Sequence, residues 1–410
     1  ASFTDIITEL DRAFKDNPEQ VKENAAQVTQ KIQDGFIPND KVDFDGHFPA
    51  PMAIMSVTKQ FQDKENGGYG SAPKFPQFSF YEWALEQMLE GMISQEEGEH
   101  IIFSLERILM GGINDHARGG IHRYSVDASW TVPHFEKMLY DQAGLLRVCS
   151  KLSLIYPSPL VYDTLMNTLE YLEKEMVGDG KYFFSAQDAD SEGEEGLFFT
   201  YTEEEFEDII VRLSDEKIVD KAAEIKEWFN ISKEGNFAYG LNVVSLNPEK
   251  KDDIFTPDHW SIVRKIRNFI LDDRKKRVPP ATDSKGIASW NFMLISSLVD
   301  VIQYCRIESI RQKASQLLIG NIEGVYKHFI HSENTDHMEI IHSTTKSTSL
   351  PYFEDYVFFA DAMLRAYEIT ANPTFKENVL ETLNYILKEF HNESNFLTRA
   401  ITTNDHELYP

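Results

Sequence analysis

Cysteine is nearly absent: the 410 residues hold only Cys149 and Cys305. Each sits in an apolar, helix-periodic stretch, which predicts two buried thiols and excludes a disulfide framework or a CxxC redox pair. Positive charge is scarce too, with 40 Lys and Arg against 67 Asp and Glu, a formal charge of −27. That balance argues against a phosphate-tracking surface for DNA or RNA and against a face for anionic membranes. It reads as a solvated surface that favours solubility. No apolar run reaches the roughly eighteen residues of a membrane span. The opening Ala1-Ser2-Phe3-Thr4-Asp5 shows no basic region leading into an apolar stretch, so a soluble, cytoplasmic protein is the expectation. GxxxxGK[ST], HExxH and paired CxxC spacings are all missing, and neither a metal nor a cofactor is expected.

What is present is a core former. Hydrophobic residues make up 42% of the chain and aromatics 12%, enough for a substantial globular interior. Helical periodicity dominates. Ile6, Leu10 and Phe14 share a face, as do Val21, Ala25, Val28 and Ile32. Further amphipathic segments run near 50–63, 78–92, 97–111, 133–153, 159–176, 203–212, 216–229, 257–274, 287–304, 307–331, 352–371 and 373–391. Long loops and short connections alternate between them, the pattern of antiparallel helical hairpins with loops gathered at the ends. The best strand candidate is a β-hairpin pairing Lys181–Ser185 with Leu197–Tyr201. The expected fold is all-α, helical hairpins sharing one core with a small β-hairpin insertion. Residues 1–49 would pack on or lead into a domain of residues 50–410.

The densest polar segment runs from Gly119 to Gln142. It holds His122, Arg123, Tyr124, Asp127, Trp130, His134, Glu136, Lys137, Tyr140 and Asp141, just after Asp115 and His116. A buried core would not carry so many donors and acceptors, each costing roughly 1–3 kcal/mol if left unpaired. Aromatic platforms beside convergent polar groups are what a concave small-molecule site requires. Histidine titrates near neutrality, so His122 and His134 suit proton transfer. Hydrogen-bonded structural histidines, and zinc ligands, are the competing readings. Pro133 suits a first helical turn, which would place His134 at a helix start with Met138 buried one turn on.

Weaker signals surround it. Gly67 to Pro76 is either a rigid loop or a rim presenting Tyr69 and Lys74. Asp188, Asp190, Glu192 and Gly193 mimic the start of a calcium loop, but Phe199 stands where its closing Glu is required. These acids are either sugar-binding or acid/base groups, or a solvated turn. Asp283-Ser284-Lys285 with Trp290-Asn291, and Pro351-Tyr352-Phe353-Glu354-Asp355, put charge and aromatic faces at two helix entrances.

The segment from Gly111 to Gln142 closely resembles the YyaL-type family, which includes the spermatogenesis-associated thioredoxin-like proteins. Gly67–Pro76, Phe183–Thr202, Thr282–Asn291 and Tyr352–Tyr356 extend the resemblance over nearly all of 50–390. It implies an (α/α)6 toroid similar to N-acylglucosamine 2-epimerases and other six-hairpin sugar enzymes, which bind saccharides in the central cavity. Those epimerases use histidines as acid and base. Family members usually begin with a thioredoxin-like domain and carry a late Ser-Gly-Asn-Ser region. Neither is found here, so a fragment with truncated final hairpins is the expectation. Arg118, Gln187, Ser284 and Phe292 depart from the family pattern, and Phe292 would narrow the cavity.

The leading expectation is a saccharide epimerase or isomerase. His122 and His134 would be acid and base, with Arg123 and Glu136 assisting, and Tyr124 and Trp130 stacking on the sugar. The binding shell would add Tyr69, Lys74, Asp115, His116, Asp127, Tyr140, Asp141, Asp188, Asp190, Asp283, Lys285, Trp290, Asn291, Glu354 and Asp355. A non-catalytic saccharide- or partner-binding module and a glycoside hydrolase using Asp188, Asp190 or Glu136 are the rivals. The sequence leaves the oligomeric state open.

Overall fold

The computed structural model describes residues 3–36, 50–331, 338–345 and 352–390. Pro351, most of the 332–351 loop and the last twenty positions of the expected toroid segment lie outside the described residues, as does much of the junction after residue 36.

Helices carry the chain. The first are α1 (Phe3–Asp16), α2 (Pro18–Phe36), α3 (Pro51–Thr58), α4 (Phe78–Leu89), α5 (Gln95–Met110), α6 (Leu139–Ile155) and α7 (Pro159–Glu175). Then come α8 (Glu203–Arg212), short α9 (Glu216–Val219), α10 (Ala222–Trp228), α11 (Lys251–Ile254) and α12 (Pro257–Arg274). The last four are α13 (Ala288–Tyr304), α14 (Glu308–His328), α15 (Phe353–Thr370) and α16 (Pro373–Glu389).

Their packing makes two layers. Helices α4, α6, α13 and α15 stand side by side in an inner layer, and each packs on the helix that follows it: α5, α7, α14 and α16. This is the α/α toroid type, and the described residues supply four such hairpins. The chain pattern explains the layers. Both α6 and α13 are buried on every side, including polar Gln142, Ser150, Lys151, Ser297 and Asp300. Outer α14 and α16 bury a single stripe. The remaining long helix, α12, packs against α8 and reaches α7 through Arg264 and Arg267, both bonded to Asp163. Helices α1 and α2 pack on each other, and α1 buries no residue.

Three of the four outer helices carry a side-chain cap, and α14, preceded by Ile307, does not. Ser94, Ser158 and Asn372 cap α5, α7 and α16 with their side chains, the first in a full capping box with Glu97. The residues before the four inner helices, Gln77, Met138, Ile287 and Tyr352, provide no side-chain cap. Because each hairpin is antiparallel, all four inner helices point the same way, and their uncapped N-termini meet at one end.

Strands are two residues long: β1 (Tyr124–Ser125), β2 (Pro133–His134), β3 (Lys137–Met138), β4 (Ala186–Gln187), β5 (Asp190–Ser191), β6 (Glu194–Glu195), β7 (Thr200–Tyr201), β8 (Asn242–Val243) and β9 (Thr282–Asp283) among them. A β-hairpin insertion is present as β5 with β6, but the longer pairing expected of 181–185 with 197–201 does not form. Strand β4 pairs with β3 and β9, and β7 with β8, so the two segments leave the hairpin for different partners. A second correction concerns 133–138. These residues run as β2 and β3, and α6 begins only at Leu139, so His134 lies on a strand and Met138 is half-buried.

Cys149 and Cys305 are buried free thiols, as expected. No helix among the described residues is long and apolar enough to cross a membrane. Between the inner helices, fully buried Asp300 of α13 receives Arg147 Nε at 3.2 Å, Lys151 Nζ at 3.4 Å and Arg365 Nη1 at 2.7 Å. Removing the central anion takes away the carboxylate shared by these three cations and leaves them with Glu82, Glu86 and Asp361 at the edge of the cluster. Asp300→Ala is therefore expected to cost about 3–5 kcal/mol in urea unfolding. Lys15→Ala, which deletes an exposed pair on α1, should stay within about 0.5 kcal/mol.

Candidate active site

The four uncapped N-termini surround a cavity of about 440 Å³. Phe78, Ser79 and Glu82 of α4 line it, with Tyr140, Asp141, Gly144 and Arg147 of α6, Trp290 and Met293 of α13, and Phe358 of α15. The positive ends of the inner helices favour oxygen-rich ligands there. The Trp290 ring stands edge-on to Tyr140, centroids 4.9 Å apart. Arg147 Nε meets Glu82 at 3.1 Å on the floor.

Asp141 is the chemically unusual group. Its Oδ2 is buried with no hydrogen-bond partner. Burial pushes its carboxyl well above the usual range, Glu136 adds to the push, and Arg123 opposes it. The positive end of α6 also opposes it by about 0.3–1 kcal/mol, less than one pKa unit. Burial thus favours the protonated form of Asp141 in the wall of the cavity. Beside it, Arg123 Nη1 donates to Glu136 Oε2 at 3.0 Å and the guanidinium lies against the Tyr140 hydroxyl. Burial raises the Tyr140 phenol, which keeps it a donor.

An aromatic rim continues outward. Phe75 lines the cavity and packs on Tyr124, which stacks on His134 at 5.0 Å. His134 Nδ1 lies 2.7 Å from Glu195 on the β5–β6 hairpin, and its Nε2 lies 3.7 Å from Glu136. Tyr140, Asp141 and Trp290 thus line the mouth. Arg123 and Glu136 reach Asp141 electrostatically, and Tyr124 and His134 form the rim.

Other expected site residues are structural. His122 is buried between Phe135 and Phe199, its Nδ1 donating to the Phe135 carbonyl at 2.8 Å. Burial, reinforced by Lys137, lowers it to about 3. It is a neutral core residue and not a catalytic base. His116 Nε2 donates to the Met110 and Gly111 carbonyls while Nδ1 accepts from Arg267 at 2.9 Å, and its pKa falls to about 3 for the same primary reason. Trp130, expected to stack on sugar, is buried with φ 66° and donates to the Gly67 carbonyl. Lys74 is buried against Asp63, Gly67 and Ala128, and Tyr69 packs on Phe80, Tyr81 and His100. Asp127 receives the backbone N–H groups of Ser129, Thr131 and Val132. Asn291 ties Phe183 to Ile287, and Phe292 packs on Phe329 and Phe359 in the core, so it does not narrow the mouth.

Asp188 and Asp190 are exposed, and Asp283 pairs with Lys285 at the surface. Neither carboxylate pair faces the mouth. Asp355 accepts from Ser289 N and lies 2.8 Å from His342, while Glu354 accepts from Ser289 Oγ, tying α15 to the start of α13. Asp115 belongs to a different cavity, described below. Glu82, Arg147, Met293 and Phe358 were missed because they lie inside regular helices, with no motif to mark them. Asp127, His116 and Lys74 look functional in sequence for the same reason that they are structural: each satisfies several backbone groups at once.

No family model matches the chain. Human spermatogenesis-associated protein 20 is 27% identical, over 72% of this chain and 41% of its own length. An uncharacterised protein of Caenorhabditis elegans is 25% identical, over 98% of this chain and 58% of its own. The chain thus spans about half the length of these curated relatives. Among solved structures, a sugar epimerase from a ruminal bacterium aligns at TM-score 0.36 and 11% identity, covering 87% of this chain and 90% of that one. A family 76 glycoside hydrolase from a Bacteroides thetaiotaomicron strain aligns at 0.32 and 12%, covering 86% and 72%.

The histidine corrections carry a pH signature. With a folded pKa of about 3 for His116 against an ordinary value near 6.5, the unfolded chain binds the extra proton between those values. Stability contributed by neutral His116 is complete above that window and is lost as pH falls through it, by up to about 1.4 kcal/mol per unit. Asp141, with a raised carboxyl, acts with the opposite sign, so the wild-type slope mixes the two. Urea unfolding from pH 7 to 4 should show a shallower loss in His116→Gln than in the wild type, and equal slopes would contradict the neutral assignment.

Proposed function

We propose that the mouth binds a saccharide and carries out acid/base chemistry on it, most concretely isomerisation or 2-epimerisation beside the anomeric carbon. The observation that carries this reading is Asp141, whose Oδ2 is buried without a hydrogen-bond partner and whose protonated form is favoured by burial, in the wall of a cavity lined by Tyr140 and Trp290. A cavity of about 440 Å³ lies within the range of small-molecule sites, and aromatic walls suit the apolar faces of sugar rings.

The chemistry follows from the residues. An open-chain aldose with its carbonyl near Asp141 and Tyr140 accepts a hydrogen bond from each. The Glu136 carboxylate removes the proton from C2, and negative charge develops on the enediolate oxygen. Arg123 and Tyr140 stabilise that charge. Transfer of the O2 hydroxyl proton to O1, with return of the carbon-bound proton to C1, gives the ketose. Delivery by Asp141 to the opposite face of C2 gives the epimer, and Glu136 then holds the proton that Asp141 lost. His134, aligned by Glu195, exchanges that proton with solvent at the rim. This assignment replaces the two histidines with two carboxyls whose surroundings differ, the arrangement that separates acid from base.

A second reading rests on the same pair: Asp141 protonates a glycosidic oxygen while Glu136 activates water. Incubation of aldoses, 2-acetamido sugars and disaccharides in deuterated water distinguishes them. Deuterium at C2 supports isomerisation, and new reducing ends support hydrolysis. Saccharide binding with neither would leave a non-catalytic module. Asp141→Asn, which is nearly isosteric, is expected to lower turnover at least about 10²-fold without lowering the melting temperature. Unchanged turnover in this variant would remove Asp141 from the mechanism.

A further inference from the structure

A second cavity, of about 500 Å³, lies away from the mouth, where the C-terminal ends of α7 and α12 meet the 187–199 loop. Its charge runs against the character of the chain. Arg118, Lys137, Lys174, Arg274, Lys275 and Arg277 line it, and the only acids among the lining residues are Asp115 and Glu175. Six cations against two anions leave a local excess of +4 in a protein of net −27.

The excess begins at the buried end. Asp115 alone serves two cations, Lys137 Nζ at 2.8 Å and Arg274 Nη1 at 2.7 Å, with all three side chains nearly inaccessible. Two buried cations thus share one buried carboxylate; Lys137 Nζ also donates to the Gly119 carbonyl at 2.9 Å, and burial pushes its ammonium below the usual range while Asp115 and Glu175 oppose that push. Lys137 sits 4.4 Å from the centre of the Tyr171 ring and 5.3 Å from that of Phe199, and Arg274 lies 5.2 Å from Phe199. These ring faces soften the cost of that burial but carry no net charge. Arg118 is paired with Glu175 at 2.9 Å. At the rim, Lys174 and Lys275 are exposed and pair only with surface acids next to or near them in sequence. Fixed cations deep in a cleft with mobile ones at its lip focus an attractive potential on small anions.

The walls define the rest of the ligand. Phe198, Phe199, Leu271 and Pro279 give one side an apolar, largely aromatic surface. We propose that this cavity binds a small organic phosphate, its anionic head among Lys137, Arg274 and the rim lysines and its ring system against Phe198 and Phe199. The site is separate from the mouth. None of the residues lining the one lines the other.

Calorimetric titration of the whole chain with inorganic phosphate, glucose 6-phosphate and AMP, and with neutral glucose and adenosine, tests this. At least one of the two phosphate esters should bind more tightly than both inorganic phosphate and its own neutral counterpart. The double variant Lys174→Glu/Lys275→Glu, at two exposed positions, should weaken that binding about tenfold or more without changing the melting temperature. Asp141→Asn should leave it unchanged, so failure of the saccharide reading and failure of this one are separable. No binding by either ester, equal binding of the neutral partner, or unchanged affinity in the double variant would each overturn the proposal.

Discussion

Asp300 is the constraint on which the inner layer depends. A carboxylate with no exposure must be paired, and its partners come from both neighbouring inner helices: Arg147 and Lys151 of α6 and Arg365 of α15. Lys151 and Arg147 also reach Glu82 of α4. One cluster therefore touches all four inner helices. A buried ion cluster of this kind adds little net stability over apolar packing. It does penalise any slip of one helix against the next, because a shift of one residue would strand a charge. Register among these helices fixes where their N-termini end, and those ends form the mouth.

The stretch between β2 and the first turn of α6 then divides the protein's polar interior. Strand side chains alternate in direction. Glu136 and Lys137 are adjacent in the chain, yet one pairs with Arg123 beside the mouth and the other with Asp115 in the basic cavity. The short ladder of β3, β4 and β9 holds this partition in place. Gly119 and Gly120 close its other flank. Both have positive φ, and a Cβ on Gly119 would lie 2.3 Å from the Asn167 carbonyl oxygen. Gln142 seals the turn by exchanging hydrogen bonds with both backbone groups of Ile121. The glycines and Gln142 that stand out in the sequence are therefore the frame around the chemistry.

Much of the fold was legible. The 3.6-residue period placed 203–212 and 257–274 to the residue and most other long helices within two or three, and in the structure Ser94, Ser158, Thr202 and Thr256 cap four of these helices with their side chains. The misreading at 133–138 has a definite cause. Pro133 fits a first helical turn, but in the fold it pairs with Ser125, and β3 pairs with β4 some fifty residues on, which pairs in turn with β9 about a hundred residues further. Local sequence does not encode pairings at that range. The aromatic run at 181–185 fails as a hairpin with 197–201 because Phe183 bridges Val177, Phe184 N donates to the Met176 carbonyl, and Ser185 N donates to the Asp283 and Lys285 carbonyls.

The site was legible only in part, and the errors follow one rule. Clustered histidines suggest proton transfer, but a histidine serves equally well as a two-ended buried connector, since one ring nitrogen donates while the other accepts. His116 does this between two carbonyls and Arg267, and His122 is enclosed by Phe135 and Phe199. Both are consumed by the structure. Asp141, in contrast, is singled out by what it lacks. Within the most crowded polar segment of the chain, one of its carboxyl oxygens is buried without a partner. The fold satisfies Asp115 with two cations and Asp127 with three backbone N–H groups, yet leaves that oxygen open. An unmet hydrogen bond in a wall shared with Tyr140 and Trp290 is costly to keep, and a ligand hydroxyl or carbonyl is the group that would offset that cost.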